Sequence, residues 1–548
     1  MARYAEHVRA LVVLCLVACS AGPQAVGTQP SWRHAAPVGT GPVTTAYTPT
    51  SPPAERYNEP VQPPPPGPLA DAVIAAIRDA ADRAHQVAPV PDARLFRAST
   101  ELAQVVPEDG AIDFAVETWI LQRQGVLDEP RLYTTWTTES TAEQITSGLS
   151  SALDEIVSQH VKRYGIGTAQ RKADGTIVVV FVAVTSELAL APIPRWLPDN
   201  GSFTIEGALE TADHDPELWY GRDDGLVDQV KVDDTGAGRF KATISCAHRR
   251  GRQQIELEAT GPSGPTTLTN FALWCGGPPP DVLPKLVPPE DLSRITTVDA
   301  ERGLFALVNR DRIAAGLAPL VWDDKLAAVA RGHSDEMERT RTVAHWSPTT
   351  GTVADRMKAA GIKTTVVLEN VARGFGIAGV HDGLMTSPAH RANIMHRSAT
   401  NGGVGVTFHD SDSGRELYVT QVFSRVTPRI DPAKAKDLVA QRLRTVRPVA
   451  GNPLLASIAD QYVQGVVAGT SHEDLSAMLK KRTDALARSF SSVNVVTTIV
   501  LDLDTIDPKQ LLGDYKADDV GIGIVQANHP DLGDNAIWVV VLMAARVK

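Results

Sequence analysis

His333, His345, Glu369 and His390 stand in one stretch of the chain, and their types invite chemistry. Three imidazoles and a carboxylate are a donor set that zinc accepts with one coordination position left open. The same groups also exchange protons near neutral pH, as general acid–base catalysis requires. Their separations are too wide for a local motif: there is no His-Glu-x-x-His word to place two ligands on one helix face. Such spacing makes sense only if a fold gathers separate elements around a common cleft. The plainer alternative is a buried hydrogen-bonded network that fixes the fold, and the residues alone leave catalysis open. Asn370, Arg391 and Asn393 lie beside the four and read as braces of loops and helix ends.

The elements that would position these groups are legible. A first helix from about Val298 buries Leu304, Leu307 and Val308, and Gly316 stands where a left-handed cap belongs. Asp323 is a good N-cap for a second helix. That helix aligns Leu326, Val329, Ala330, His333 and Met337 on one stripe, so His333 faces inward. Ser387-Pro388 reads as N-cap and first residue of a short helix with His390 in its first turn. The field at that helix end disfavours a protonated imidazole, which predicts a neutral His390.

Around the four residues runs an ordered series of words: Leu307-Val-Asn-Arg310, Gly316-Leu-Ala-Pro-Leu-Val-Trp-Asp323, His333-Ser-Asp-Glu-Met337, His345-Trp-Ser-Pro348, Glu369-Asn370, Ser387-Pro-Ala-His-Arg-Ala-Asn-Ile394 and Thr420-Gln-Val-Phe423. In this order they resemble the CAP superfamily (cysteine-rich secretory protein, antigen 5, pathogenesis-related 1, also called SCP-like), and its bacterial branch most closely. The resemblance implies an α-β-α sandwich with a central cleft of two histidines and two acidic residues, in which some members bind a divalent metal. On it, His345 and Glu369 match the family's histidine and glutamate. The second acid falls near Met385 to Ser387, where none stands, and the late histidine of the eukaryotic branch falls near Leu417. Leu368 replaces the glycine that usually precedes Glu-Asn. The bacterial pattern puts His333 and His390 in the cleft instead, which leaves a divalent metal such as zinc as the cofactor to test.

The rest of the chain frames this module. Residues 1–18 resemble a lipoprotein signal peptide, with a short apolar run ending in Leu16-Val-Ala-Cys19, so Cys19 is the expected lipidation site and an outer-membrane anchor the expected location. Either leaflet, periplasmic or surface-facing, fits that anchor. Residues 19–67, rich in Pro, Gly, Thr and Ser, read as a disordered tether. Glycine-marked hairpins recur at Tyr164–Phe181, Gly403–Phe423 and Val520–Leu542, which predicts degenerate CAP-like copies at 68–187 and 431–548 around the intact domain 295–428. Neither outer copy keeps the His/Glu words.

Alternating residues over 190–280 predict a β-sandwich, followed by a linker at 281–294. Cys246 and Cys275 face inward in that pattern and form an expected disulfide. The expected fold class is therefore α+β. A net charge of −11 argues against nucleic acid as a partner, and no nucleotide-binding glycine motif is present. The functional expectation is an envelope or cell-surface binding protein, its ligand an envelope, cell-wall, lipid or protein component. A hydrolase of peptide or cell-wall material is the alternative.

Overall fold

Each of the recurring glycine-marked hairpins forms, and each is the centre of a four-stranded sheet. The computed structural model describes residues 47–547, apart from 107–111, 113, 129, 139–140, 159–160, 172–173, 187, 211–212, 223–224, 262–263, 285–289 and 412–413. The expected signal peptide, Cys19 and the expected tether up to residue 46 lie outside the described residues.

In the central module the antiparallel pair Asn401–Ser411 and Gly414–Ser424 is flanked by the parallel strand Val321–Trp322 and the antiparallel strand Val367–Gly374. The same order and senses recur twice. Before it, Val90–Pro91 and Pro130–Thr137 flank Arg163–Gln170 and Ile177–Val184. After it, Ala450–Gly451 and Phe490–Val500 flank Asp519–His529 and Gly533–Arg546.

The paired glycines have a physical cause that turn chemistry does not supply. A Cβ on Gly403 or Gly405 would lie 2.1 Å from the backbone nitrogen of Ala327 or Arg331 in the helix Asp324–Thr340. Gly165 and Gly167 seat the helix Ala93–Val105 in the same way, and Gly521 and Gly523 seat Pro453–Val467. In each sheet the helix backbone rests directly on the strand, at a distance only glycine permits.

The central module has helices on both faces of its sheet. Leu326, Val329, Ala330, Val353 and Met357, from helices Asp324–Thr340 and Val353–Ala359, pack on Val422. On the opposite face Leu304, Val308, Val380, Leu384 and Ile394 pack against Leu368, Val404, Val419 and Phe423. Burying each such side chain contributes about 1.5–3 kcal/mol, so both faces hold the sheet. The first helix starts at Thr297, one residue earlier than expected, because Thr296 and Asp299 form a reciprocal capping box. Phe305 is buried beside Leu304 and Val308, while Leu307 is only partly covered. Gly316 has φ +72°, as its left-handed position demands.

Between the first and central modules two sheets share one core. Phe240, Ala242 and Ile244 from one meet Ile255, Leu257, Phe271 and Leu273 from the other. The disulfide Cys246–Cys275 joins them with Cα atoms 5.4 Å apart, and closing its 29-residue separation restricts the unfolded chain by about 3–4 kcal/mol.

The expected tether is shorter than its composition implied. Arg56–Tyr57 pairs with Ile193–Pro194, and Tyr57, 1% exposed, donates its hydroxyl to Ala272 O at 2.7 Å. Tyr47 and Thr50 donate to the carboxylate of Glu101, which also pairs with buried Arg123. Two tyrosines with buried partners overcome the bias of the surrounding prolines. Residues 47–58 are therefore attached to the body rather than free of it.

Candidate functional site

Asp323 fixes the phase of the long helix by accepting from the amides of Lys325 and Leu326. Ten residues on, that phase turns His333 inward, and its Nε2 lies 2.8 Å from the carbonyl of Ala344. Beside it Ser334 donates to Gly405 O and Thr420 Oγ1, tying the helix to the sheet. Glu369 comes from the edge strand Val367–Gly374, level with Val422 and Gly403 and so on the face that carries the long helix. His345 follows in the loop after that helix, and its Nδ1 is 2.9 Å from Glu369 Oε2.

The other Glu369 oxygen is held by Arg356, from a helix whose start is fixed by the Thr352–Asp355 capping box. The same guanidinium donates to Gly351 O at 2.7 Å and to His345 O at 3.3 Å. His333, His345 and Glu369 are thus one cluster, each 5% exposed or less, closed by an arginine. Glu336, in the same helix turn as His333, accepts from the hydroxyls of Ser347, Thr349 and Thr350 and so anchors the His345 loop.

His390 sits apart, at the rim. Ser387 caps its helix by accepting from the His390 amide, and the Ser387 hydroxyl is 2.7 Å from His390 Nδ1. The same hydroxyl lies 3.0 Å from Glu256 Oε1, a carboxylate reaching across from the two-sheet unit. Asn370 points away from Glu369 to the other face, donating to His390 O and Gln421 Oε1. Asn393 donates to Glu369 O and Asn370 Oδ1. Arg391 leaves the module altogether: its guanidinium stands where a Cβ on Gly221 would be, 2.6 Å away.

Burial pushes the Glu369 carboxyl upward, but the His345 hydrogen bond and the Arg356 charge outweigh it and hold its pKa at about 2. Burial lowers His333, against the pull of Glu369. It lowers His390 to about 3, helped by the charge of His345 and opposed by the Val371 backbone. Desolvation, rather than the helix field, is the main cause of a neutral His390.

This arrangement does not fit zinc. Among the described residues no three His, Cys, Asp or Glu side chains are placed to hold a metal ion. Both Glu369 oxygens are engaged by Arg356 and His345, and His333 Nε2 is spent on a backbone carbonyl. Within the set His333, His345, Glu369 and His390 the Arg356 guanidinium neutralises the carboxylate. What the geometry does supply is an oriented histidine–carboxylate pair.

Arg356 escaped the sequence reading. The signal that could have found it was the Thr352–Asp355 capping box, which announces a helix just before a basic residue. Glu256 also escaped, and it brings a carboxylate to Ser387, near the position where the resemblance implies an acid and this chain has none.

A neutral, buried His390 makes the central module acid-labile. The unfolded chain takes up a proton there near pH 6.5, whereas the folded module resists until about pH 3. Stability contributed at neutral pH is thus lost as pH falls through that window, on the order of 5 kcal/mol in full. His390→Gln, which cannot protonate, is expected to flatten the acid limb of local stability measured by hydrogen exchange. An unchanged limb would mean that His390 is not the group responsible.

Comparison with known proteins finds similarity in the central segment. Residues 305–423 match the model of the cysteine-rich secretory protein family, CAP. YlbC of Bacillus subtilis (strain 168), an uncharacterized membrane protein, is 34% identical over 127 residues, covering 23% of this chain and 36% of that protein. YkwD, an uncharacterized protein of the same organism, is 37% identical over 106 residues, 19% of this chain and 41% of that protein. The chain thus spans well under two thirds of either relative. Among solved structures, an extracellular SCP-domain protein of Bacillus anthracis is 22% identical with a TM-score of 0.22, covering 41% of this chain and 78% of that one. An outer surface protein of Borrelia burgdorferi is 19% identical with a TM-score of 0.21, covering 24% and 97%. By its matched segment and the order of its sequence words, the central module is similar to the CAP family over residues 305–423.

Proposed function

We propose that the chain is an extracytoplasmic envelope protein, anchored through Cys19, whose CAP module binds a partner rather than hydrolyses one. The observation that carries this reading is the capture of both Glu369 oxygens by Arg356 and His345 in a buried cluster. A carboxylate so engaged is a poor metal ligand and a poor proton acceptor. The Cys246–Cys275 disulfide supports an oxidising compartment outside the cytoplasm. No helix among the described residues is long and apolar enough to cross a membrane, so attachment in this reading rests on the lipid at Cys19.

The outer modules are degenerate CAP copies in this proposal, and the two-sheet unit is a sandwich inserted between the first and second. Their shared strand order and helix-seating glycines support common descent of the sheets. Their lack of the His345/Glu369 pair leaves the central module as the binding unit. Its ligand belongs to the envelope, the cell wall, a lipid or another protein. The oriented His345–Glu369 pair is what favours the second reading, acid–base hydrolysis of peptide or cell-wall material.

Release of soluble fragments from purified cell-wall material separates the two, and metal analysis of the full chain after equilibration with zinc tests the metal-dependent form of hydrolysis. No stoichiometric zinc is expected, and His345→Ala is expected to lower stability without changing metal content. One zinc per chain that disappears in His345→Ala would sink the binding reading in favour of metal chemistry. Cys19→Ser is expected to move the exported protein from the membrane fraction to the soluble one, and retention on the membrane would refute the anchor.

A further inference from the structure

The histidine rim of the CAP module is not open to solvent but lies under the hairpin Gly251–Gly261 and Gly264–Cys275 of the two-sheet unit. At the hairpin turn the Cβ position of Gly264 is 3.6 Å from His345 Cβ. Further along, Asn270 Nδ2 is 3.5 Å from Thr386 O, and Glu256 receives the Ser387 hydroxyl and the Ala389 amide. Trp219 packs on Ala389, with Val227 and Ala392 beside them. The inner face of the same hairpin carries Leu257 and Phe271 in the two-sheet core, so it is a rigid part of that unit.

Two residues apart on one strand, Glu256 and Glu258 project to the same face, toward the CAP module, and are 0% and 2% exposed. Carboxylates sharing a buried site cannot both ionise. Trp219 Nε1 donates to Glu258 Oε2 at 3.0 Å, while Thr267 and Ser387 hydroxyls serve Glu256. The charged or titratable neighbours are Glu217, opposite Glu258 on the adjoining strand, and His390 and Arg391 on the short helix. The strand Gly264–Cys275 presents only Thr267 and Asn270 to the pair.

We propose that this hairpin is a built-in cover of the CAP module's histidine rim, latched by one proton shared between Glu256 and Glu258, and that it parts from the module as pH rises. The proposal does not depend on what the module binds. Burial, and then the charge of Glu256, raises the Glu258 carboxyl well above its ordinary 4.5 in the closed form. Solvent restores the ordinary value once the faces separate. The closed form thus binds one proton more than the parted form above about pH 4.5. Closure is strongest below that pH and weakens by up to about tenfold per pH unit above it, until the raised pKa is passed.

Hydrogen exchange of the full chain between pH 5 and 9, corrected for intrinsic exchange, tests this. Protection of the helix Pro388–Ile394 is expected to fall with pH while the core strand Gly414–Ser424 keeps its protection, which separates parting from unfolding. Glu258→Gln, neutral at every pH, is expected to hold the helix protection level. A disulfide between Asn270→Cys and Thr386→Cys is expected to do the same with both carboxylates intact. Helix protection in the wild type that does not depend on pH would overturn the latch. So would an equal fall in Glu258→Gln or in the disulfide-locked chain.

Discussion

Arg356→Ala should destabilise the central module by about 3–5 kcal/mol, the usual cost of leaving one partner of a buried ion pair alone. Glu369 is 2% exposed and gives one oxygen to this guanidinium, so alanine leaves a buried charge hydrogen-bonded to His345 with its arginine gone. The carbonyls of His345 and Gly351 lose this donor in the same step, although Gly351 O keeps the Ser347 amide. Glu369→Gln should cost less, about 1–3 kcal/mol, because Arg356 keeps both carbonyls. Replacing the pair together, Arg356→Met with Glu369→Leu, should recover most of the loss, since an apolar pair of similar volume is often neutral or better.

The chain holds several modules, so a single unfolding transition is not a safe readout. Local exchange of the strand Gly414–Ser424 reports the central module alone. A cost below about 1 kcal/mol for Arg356→Ala, in the range of an exposed pair, would mean that the cluster does not hold the fold. The network account of Glu369 would then be wrong.

The parts of this site that were legible in the sequence rest on local chemistry. Asp323 as an N-cap and the stripe Leu326, Val329, Ala330, His333 place His333 on the inner face without any tertiary knowledge. Ser387-Pro388 marks the helix that carries His390, and the inward cysteines on alternating strands mark the disulfide. What was not legible depends on contacts that leave no periodic trace. Arg356 is a buried arginine on a helix of only seven residues, and its partner is on a strand beyond the next loop. Glu256 meets Ser387 across a separation of 131 residues, from a different module.

Tyr57 was hidden by its prolines, because composition argues for a tether while one buried hydroxyl argues otherwise. The glycines mark the first strand of each hairpin in the sequence, but nothing local gives their cause. Gly403 and Gly405 lie within the strand Asn401–Ser411 as seats for a helix.

Gly405→Ala should cost the central module about 3 kcal/mol or more, at or above the upper end for overpacking. The new methyl would sit 2.1 Å from the backbone nitrogen of Arg331, and backbone cannot rotate aside as a side-chain tip can. The helix Asp324–Thr340 must lift, and it carries Leu326, Val329, Ala330 and His333 with it. Gly332→Ala is the matched control: it lies in the same helix with nothing near its Cβ position, so it should be neutral or stabilising by about 0.5–1 kcal/mol. Gly167→Ala and Gly523→Ala should each damage their own module as Gly405→Ala damages the centre, since Thr100 N at 2.1 Å and Ala459 O at 2.3 Å stand in the same relation to them. The effects should stay local, each read in the exchange of its own sheet. If alanine is tolerated at Gly523 or Gly167 but not at Gly405, the outer helices are not seated as the central one is. The shared strand order would then be convergence of a simple sheet rather than the trace of a copied module.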